Sequence, residues 1–357
     1  MMRVAFDTGP LHGPITGVGR AVEAMAAHAT VDLVPYVLSF RANLRPNTVR
    51  LPYPAALALR SWGRFDHPRP DRHLGDVALV HGTNYVVPPS RRPRLVTVYD
   101  CWALEHPDTV HRDIGLMMNA LRRAIHTGAH VHASSHATAE RLRTHFPDAS
   151  ITVIHLGAPA FVDARAGSID GLPDDGPVIL SIGTLERRKN LPFLVSLMND
   201  VIGKVPAARL VIAGGDGDDA IAVRSAVENS SARVRERVHL LGRVNDEVVG
   251  RLYHRAKVIA YPSLDEGFGF PVLEAMSTDT PIVASNVGSI PEVAGNAALL
   301  CPTNDRVAWI ESLVSALTDD DLRNRLIDNG RRQRAEFDWN RTARELEHLY
   351  RNLADGA

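Results

Sequence analysis

The sequence has few of the features that identify several common classes of protein. Its 357 residues include two cysteines, Cys101 and Cys301, which lie far apart without a CxxC pattern, as expected in a reducing compartment and without a zinc site. The formal net charge is −1, whereas nucleic-acid binding generally needs a strongly basic surface. No apolar run reaches the ~18 residues of a membrane span, and the N-terminus carries no signal-peptide pattern. We therefore expect a cytoplasmic protein that binds no nucleic acid.

Apolar runs of strand length alternate with helical patterns along almost the whole chain. Residues 2–7 form the first predicted strand, and a helix is predicted from about Gly19 to His28 after a glycine-rich loop. The strands are apolar on both faces, as in a buried parallel sheet. In the second half the pattern predicts strands at 177–183, 207–215, 238–242, 257–263 and 281–286, and helices at 190–204, 219–229, 245–256 and 271–277. The alternation indicates doubly wound α/β packing in both halves.

Between the halves, residues 157–177 are rich in Gly, Asp and Pro and lack periodicity, which is typical of a linker. We predict an N-terminal domain over 1–160, a linker over 161–176 and a C-terminal domain over 177–337. The stretch from Arg331 to Leu353 is predicted to be helical, and a helix over 338–357 is expected to pack back on the first domain. Two Rossmann-like halves facing each other across a cleft would bind a ligand at the carboxyl ends of their strands.

The most informative string is EGFGFPVLE, residues 266–274, which directly follows a predicted strand. Pro271 suits the first position of a helix, and Glu274 would then lie in the first turn, where the helix dipole favours a carboxylate. The glycines allow a ligand to approach the backbone, and free N–H groups at the helix start attract an anion. Carboxylates accept hydrogen bonds from vicinal hydroxyls, so Glu266 and Glu274 are suited to a nucleotide sugar. The alternative, a helix cap and a solvated loop residue, has less support for the string as a whole.

A basic turn lies in the string SIGTLERRKNL, residues 181–191, where a predicted strand meets a helix. Arginine binds phosphate through two parallel hydrogen bonds, and lysine supplies a point charge. The turn is therefore suited to neutralise a departing nucleoside diphosphate. Taken alone, an exposed basic turn without a ligand would be the better interpretation.

Together these strings resemble the family 4 retaining glycosyltransferases, which have the GT-B fold and carry an EGFGxPxxEAM motif. The resemblance implies that Glu266 contacts the transferred sugar, that Glu274 binds the ribose hydroxyls, and that Arg188 and Lys189 hold the diphosphate. Many family members have arginine where this chain has Thr184. The similarity extends over 240–263, and further donor-binding residues are then Gly183, Thr184, Arg243, Val244, Gly267, Phe268 and Gly269.

The N-terminal half matches the family less sharply. The string FDTGPLHGPITGVGR (6–20) resembles its first loop, in which Gly17 and Gly19 would approach the diphosphate or the acceptor. In TVYDCWALEHP (97–107) a tyrosine, Tyr99, replaces the family's histidine, while Asp100 matches and is assigned to catalysis. Tyrosine can donate a hydrogen bond but cannot act as a near-neutral acid or base, so acceptor-side chemistry of the usual kind is in question.

Two further features have ordinary interpretations that we favour. The prolines and arginines of residues 43–75 fit a surface excursion better than an acceptor or membrane-surface loop. His130 and His132 alternate on a predicted strand, but no carboxylate spacing supports a ligand set, so we expect packing histidines and no metal. Family members of this kind generally need no metal or other cofactor.

The sequence therefore predicts a retaining hexosyltransferase that uses a nucleotide-diphosphate sugar, with GDP-mannose weakly favoured. The acceptor would be a glycan or a lipid-linked glycan, and peripheral association with the inner membrane face is expected in the latter case. The leaving phosphate would help to deprotonate the acceptor hydroxyl on the same face of the sugar. Two alternatives stay open: a catalytically silent nucleotide-sugar-binding subunit, and a sugar-nucleotide epimerase of the same fold.

Overall fold

Two parallel β-sheets, one in each half of the chain, organise the computed structural model of this protein. The structure describes residues 2–13, 16–109, 111–159, 164 and 167–356. The chain divides into unit one, Met1–Gly157 with Phe337–Ala357, and unit two, Ala158–Glu336. The described part of the predicted linker, residues 164 and 167–176, thus lies in unit two. Residues 161–163 and 165–166 of that linker lie outside the described residues.

Unit one contains a seven-stranded sheet. Its strands are β1 (Arg3–Asp7), β2 (Asp32–Val37), β3 (Val49–Arg50), β4 (Leu79–Gly82), β5 (Arg94–Val98), β6 (His130–Ala133) and β7 (Ile151–Val153). Every neighbouring pair is parallel, in the order β3-β2-β1-β4-β5-β6-β7. The chain therefore turns back between β1 and β4, which is the topological switch point where doubly wound sheets bind ligands.

The helices of unit one cover both faces of this sheet. They are α1 (Gly17–Ala27), α2 (Ala55–Trp62), α3 (Asp71–Leu74), α4 (Trp102–Glu105), α5 (Arg112–His126) and α6 (His136–His145), with 3₁₀ turns at Gly9–Leu11 and Pro107–Thr109. All four residues of β4 are buried, as expected for a strand covered on both faces. A chain of hydrogen bonds crosses the sheet from His81 Nε2 through Thr97 Oγ1 to His132 Nδ1, over 2.8 and 3.0 Å. Burial lowers the pKa of both histidines, so they pack as neutral core residues, as the sequence predicted for His132.

Unit two repeats the design with six strands. They are β8 (Val178–Ile182), β9 (Arg209–Ala213), β10 (Val238–Gly242), β11 (Ala256–Tyr261), β12 (Ile282–Ser285) and β13 (Ala298–Cys301). The parallel order is β10-β9-β8-β11-β12-β13, so the switch point lies between β8 and β11. The helices are α7 (Leu191–Lys204), α8 (Ala220–Glu228), α9 (Ala232–Arg235), α10 (Asp246–Arg255), α11 (Phe270–Ser277), α12 (Ile290–Ala294), α13 (Arg306–Thr318) and α14 (Asp320–Arg334), with a 3₁₀ turn at Arg187–Lys189.

The last helix, α15 (Trp339–Asp355), belongs to unit one although the chain reaches it from unit two. Thr342 Oγ1 donates to the carbonyl oxygen of His155 over 2.7 Å, and Tyr350 Oη lies 2.8 Å from His81 Nδ1. A Cβ atom at Gly157 would lie only 2.4 Å from the Trp339 ring, so this glycine lets the helix approach the chain closely. None of the helices within the described residues has the length and apolar character to cross a membrane.

Some elements differ from the sequence-based expectations. The final helical stretch, expected from 331 to 353, is two helices, because the chain breaks between Arg334 and Trp339 where Asp338 caps α15. The short strand β13 was not expected. Helix α1 begins at Gly17 rather than Gly19, because the Thr16 hydroxyl accepts a hydrogen bond from the Gly19 N–H and caps the helix two residues earlier.

Candidate functional site

The candidate site of unit two lies where β8 and β11 end side by side. The loop after β8 carries the basic turn, and the loop after β11 carries the glutamate string. The two loops are joined by a backbone hydrogen bond of 2.7 Å from Leu264 N to Arg188 O. The sheet's switch point therefore brings together two segments that lie 77 residues apart in the sequence.

Glu266 is the centre of this site. Its side chain is buried, with 6% of its surface exposed, and its two oxygens face two cations. Arg188 Nη1 lies 2.5 Å from Oε2, and Lys189 Nζ lies 2.6 Å from Oε1. Ser263 Oγ donates to Oε1 over 2.8 Å. The carboxylate is thus held in one orientation by charged and neutral donors together.

The charges of this cluster determine its protonation. Burial alone would raise the pKa of Glu266, but Arg188 and then Lys189 outweigh it and hold that pKa at about 2. Burial lowers the pKa of Lys189, an effect that Glu266 partly offsets. Lys189 Nζ also donates to Tyr261 Oη over 2.9 Å and lies 4.7 Å from the centre of that ring. At neutral pH the glutamate is therefore an anion between two cations.

The partially exposed side of the cluster carries a second carboxylate. Glu186 Oε2 lies 3.2 Å from Arg188 Nη2, and its side chain is 40% exposed. Arg188 thus joins a buried and an exposed carboxylate. An incoming anion would therefore approach Arg188 on the side where Glu186 already contacts its guanidinium group.

The backbone of Glu266 is fixed by the turn after β12. Ser289 donates to the Glu266 carbonyl oxygen through its backbone N–H, over 3.0 Å, and through its hydroxyl, over 3.1 Å. Gly288 has a φ of 52°, and a Cβ atom there would lie 2.3 Å from the same carbonyl oxygen. Only glycine fits this close approach without a shift of the chain.

Glu274 lies on α11 and is buried, with Tyr253 Oη donating to its Oε2 over 2.6 Å. The expectation that Pro271 opens the helix and Glu274 lies in its first turn is wrong, because the helix begins at Phe270 and has no acidic residue in that turn. A hydrogen bond from a tyrosine of α10, rather than the helix dipole, therefore positions this carboxylate. Before it, Gly269 has a φ of 91° and sits at the helix cap.

Of the remaining predicted donor residues, Gly267 and Phe268 lie in the loop between β11 and α11, and the others follow β8 or β10. Gly183 has a φ of 136°, and a Cβ atom there would lie 3.5 Å from Lys189 Cε. Thr184 follows it, and Arg243 and Val244 follow β10 directly. The Arg243 guanidinium lies against Gly215, where a Cβ atom would come within 3.1 Å of Nη2.

Sequence reasoning missed several contributors to this site. Gly214, in the loop after β9, packs so closely on the loop after β8 that a Cβ atom would lie 1.8 Å from the carbonyl oxygen of Gly183. Tyr261 accepts a hydrogen bond from Lys189, and Ser263 donates one to Glu266. In the sequence both are ordinary residues at a strand end. The GG pair at the end of the strand predicted over 207–215 was the available signal for Gly214. For Tyr261 and Ser263 the only signal was their position just before the glutamate string.

The predicted residues of unit one have other surroundings. Gly17 and Gly19 do not form a tight loop, because both lie in the first turn of α1. The loop before them includes residues 14–15, which lie outside the described residues. Asp100, which was assigned to catalysis, accepts a hydrogen bond from Trp102 N over 3.0 Å at the start of α4.

Tyr99 follows β5 and is buried, with 5% exposed. Its ring packs edge-on against Tyr85, and within the described part of the chain its hydroxyl makes no hydrogen bond. Burial, and then the charge of Asp7, raise its pKa, so the phenol stays protonated. The side chain therefore offers a neutral hydroxyl where the resembled family has a histidine.

Known proteins are similar to this chain over part or all of its length. The model of "Glycosyl transferases group 1" matches residues 167–333, which contain the whole charged cluster and Glu274. The O-antigen chain mannosyltransferase B of Escherichia coli is 28% identical over 397 residues, covering 99% of this chain and 100% of that protein. Unit two therefore contains the domain of the group 1 glycosyltransferases.

Other relatives of this glycosyltransferase match in part or by fold. The D-inositol 3-phosphate glycosyltransferase of Corynebacterium urealyticum is 31% identical over 189 residues, which is 51% of this chain and 45% of that enzyme. Among solved structures, the sucrose-phosphate synthase of Thermosynechococcus elongatus superposes with a TM-score of 0.75 at 20% identity, covering all of both chains. Anabaena HepE in complex with UDP and glucose gives 0.74 at 14% identity, covering 99% of this chain and 100% of that chain. These neighbours and the two parallel sheets establish the predicted GT-B fold.

Proposed function

We propose that this glycosyltransferase moves a hexose from a nucleotide-diphosphate sugar to a glycan or lipid-linked glycan hydroxyl, with retention of configuration. The observation that carries the proposal is Glu266, a buried anion fixed between Arg188 and Lys189 at the switch point of the sheet in unit two. A carboxylate in this setting can accept hydrogen bonds from sugar hydroxyls, while its cationic neighbours can meet phosphate oxygens.

The donor diphosphate is assigned to Arg188 and Lys189. Both cations belong to the first loop of the sheet, beside the start of α7, where unpaired N–H groups attract anions. Negative charge that develops on the leaving diphosphate would be stabilised by these groups in a site with little water. Glu274, oriented by the hydroxyl of Tyr253, is assigned to the ribose hydroxyls of the nucleotide.

GDP-mannose is the first candidate donor. The relative that aligns along the full chain is described as an O-antigen chain mannosyltransferase, at 28% identity. That description also favours a growing polysaccharide as the acceptor. A donor of this kind is a substrate, so the proposal includes no bound cofactor.

A screen of nucleotide sugars tests the donor assignment. We expect one of the GDP-, UDP-, ADP- or dTDP-sugars to raise the melting temperature of the protein and to be hydrolysed slowly without an acceptor. Lys189→Ala and Glu274→Ala should lose both effects. Lys204→Ala removes an exposed lysine at the far end of α7 and should keep them. NMR of the anomeric proton in the product then determines whether configuration is retained.

Each other outcome of the screen favours a different function. Stabilisation without hydrolysis or transfer to any acceptor would favour a silent binding subunit, for which Tyr99 in place of the family's histidine is the motivating observation. Conversion of the donor to its epimer would favour an epimerase. The absence of stabilisation by any nucleotide sugar would contradict the donor assignment.

Peripheral membrane association forms a separate part of the proposal, and it revises our preference for a plain surface excursion over residues 43–75. Four exposed apolar side chains lie within one segment of unit one, namely Phe40, Leu44, Leu57 and Phe65. The same segment exposes the basic residues Arg41, Arg45, Arg60 and Arg64. Apolar groups beside arginines favour a surface that binds anionic lipid headgroups.

Co-sedimentation with vesicles tests this surface. The protein should pellet with vesicles that contain anionic phospholipid and much less with neutral vesicles. Leu57→Glu together with Phe65→Glu should abolish pelleting, whereas Ile221→Glu, at an 81% exposed residue of unit two, should not. Failure to bind anionic vesicles, or equal binding by the double variant, would contradict the proposed surface.

A further inference from the structure

The basic turn of unit two is held in place by loops that follow three different strands. The loop after β9 supplies Asp218, whose Oδ1 accepts a hydrogen bond from Arg187 N over 2.9 Å. The loop after β11 donates a backbone hydrogen bond of 2.7 Å to the turn. The turn after β13 supplies Asn304, whose Oδ1 accepts a hydrogen bond from Asn190 Nδ2 over 2.9 Å. Of these three contacts, only the last joins two side chains, so a substitution can remove it and leave the backbone hydrogen bonds in place.

Both asparagines of this contact have a left-handed backbone. The φ of Asn190 is 53°, and the φ of Asn304 is 62°. Asparagine adopts this conformation more readily than most residues with a side chain, and strained backbone of this kind clusters at functional sites. Asn190 ends the 3₁₀ turn Arg187–Lys189 and immediately precedes α7. The backbone at Asn190 therefore fixes the angle between the basic turn and the helix.

The bond to Asn304 also directs the Asn190 side chain away from the helix. Asparagine is a preferred residue at the start of a helix, because its side-chain oxygen can accept a hydrogen bond from an N–H of the first turn. Within the described chain, Asn190 makes no such bond to α7. The second residue of the helix is Pro192, which has no N–H. The N–H groups of Leu191 and Phe193 are therefore not occupied by the side chain that would ordinarily cap them.

The position of Asn304 is fixed by the helix that follows it. Asn304 lies between β13 and α13, and the next residue, Asp305, caps α13 by accepting hydrogen bonds from two backbone N–H groups. Helix α13 packs against α7, where the buried ring of Trp309 lies edge-on to Phe193 with 6.1 Å between the ring centres. An ion pair between half-exposed side chains joins the same two helices. Asn304 therefore presents its amide oxygen to the basic turn from a firmly packed element.

We propose that Asn304 is a positioning residue for the donor diphosphate and acts through Asn190 on the basic turn and on the start of α7. Lys189 directly precedes Asn190, and its Nζ lies 2.6 Å from Glu266. A shift of Asn190 would therefore move this cation and the first turn of α7 together. Stabilisation of a developing charge requires donors that are already in place when the charge forms, so such a shift would weaken it. The inference rests on the proposed assignment of the diphosphate to this turn.

A double-mutant cycle tests whether the two asparagines act through one hydrogen bond. Glycine fits the left-handed backbone at both positions, so Asn304→Gly and Asn190→Gly each remove one amide without backbone strain. GDP, UDP, ADP and dTDP would be titrated against each variant by calorimetry. For the nucleoside diphosphate that binds the unaltered protein best, each single variant should weaken binding by about three- to tenfold, the range of one hydrogen bond. The double variant should bind no more weakly than the weaker single variant.

Two further measurements distinguish positioning from a general structural role. In donor hydrolysis, Asn304→Gly should lower kcat more than it raises KM, because the charge on the diphosphate grows toward the transition state. Without ligand, amide hydrogen exchange over residues 186–193 should be faster in Asn304→Gly, whereas Asn304→Asp, which keeps an accepting oxygen, should restore the original rates. Asn47→Gly, at an exposed asparagine of unit one with a φ of 59°, is the matched control and should change none of these quantities.

The outcomes separate this inference from the donor assignment. If a nucleoside diphosphate binds the unaltered protein and Asn304→Gly equally well, only the role of Asn304 is overturned. Losses that add in the double variant, or unchanged hydrogen exchange in Asn304→Gly, would overturn it as well. If none of the four nucleotides binds the unaltered protein, the donor assignment fails and the role of Asn304 fails with it. A melting curve shows whether a variant is folded, and Asn190→Gly tests the same bond if Asn304→Gly does not fold.

Discussion

Replacing Glu266 by glutamine should unfold unit two more easily at neutral pH. The variant keeps the shape of the side chain but removes the charge that faces Arg188 and Lys189, both of which are largely buried. The pKa of Glu266 is about 2 in the folded protein against an ordinary value of 4.5. That difference corresponds to about 3 kcal/mol of stabilisation by the ionised form. Removal of one partner from a buried pair costs about 3–5 kcal/mol, a similar magnitude.

The lowered pKa of Glu266 also determines how the stability of the folded protein depends on pH. Because the folded pKa lies below the unfolded one, the contribution of Glu266 is complete above pH 4.5 and is lost as the pH falls toward 2. Urea titrations followed by circular dichroism would measure the free energy of unfolding at neutral pH and at about pH 3. The difference between the original protein and Glu266→Gln should be smaller at the acidic pH.

Two further variants keep this reasoning testable. Asp279→Asn breaks the ion pair between Asp279 and Arg331, whose side chains are 45% and 60% exposed, respectively. This control should lower the free energy of unfolding by less than about 1 kcal/mol. Glu266→Gln combined with Lys189→Met should recover part of the loss, because one uncompensated charge is removed. A change below about 0.5 kcal/mol for Glu266→Gln at neutral pH, at the level of an ordinary surface substitution, would refute the assigned role of the buried anion.

Three other substitutions probe the donor site. Tyr253→Phe removes the hydrogen bond to Glu274, which at about 1.5–3 kcal/mol for a bond to a charged group should raise the donor KM by about tenfold or more with little change in kcat. An unchanged KM would contradict the role of Tyr253 in positioning that carboxylate. Glu186→Gln removes the exposed carboxylate that competes for Arg188 and should tighten nucleoside-diphosphate binding by up to about fivefold in calorimetry, so weaker binding would argue against Arg188 as a phosphate ligand. Gly288→Ala places a Cβ atom 2.3 Å from a backbone carbonyl at positive φ and should lower both the melting temperature and donor binding, whereas normal binding would show that this turn does not position the site.

The sequence by itself determined the repeating α/β architecture and singled out candidate residues for the donor site. Buried strands that alternate with helices require parallel sheets covered on both faces, and the strands that pair in both sheets are parallel, as expected. The EGFGFPVLE string and the ERRKN turn singled out Glu266, Glu274, Arg188 and Lys189, because carboxylates, cations and glycines at strand ends point to a charged, hydroxyl-rich ligand. Their assigned roles stay predictions.

Only the tertiary structure decided how these residues act on one another. The salt bridges of Glu266 join positions 77 residues apart, and the hydrogen bond between His81 and Tyr350 spans 269 residues. Such contacts depend on which loops the sheet order brings together, which no local pattern contains. The start of α1 and the break before α15 were misjudged for a related reason, because single capping side chains determine helix ends. A cavity beside Asp7 in unit one is lined by residues of β1, β2, α2 and α5 and by the segment after β4, so its existence is a property of the packing alone.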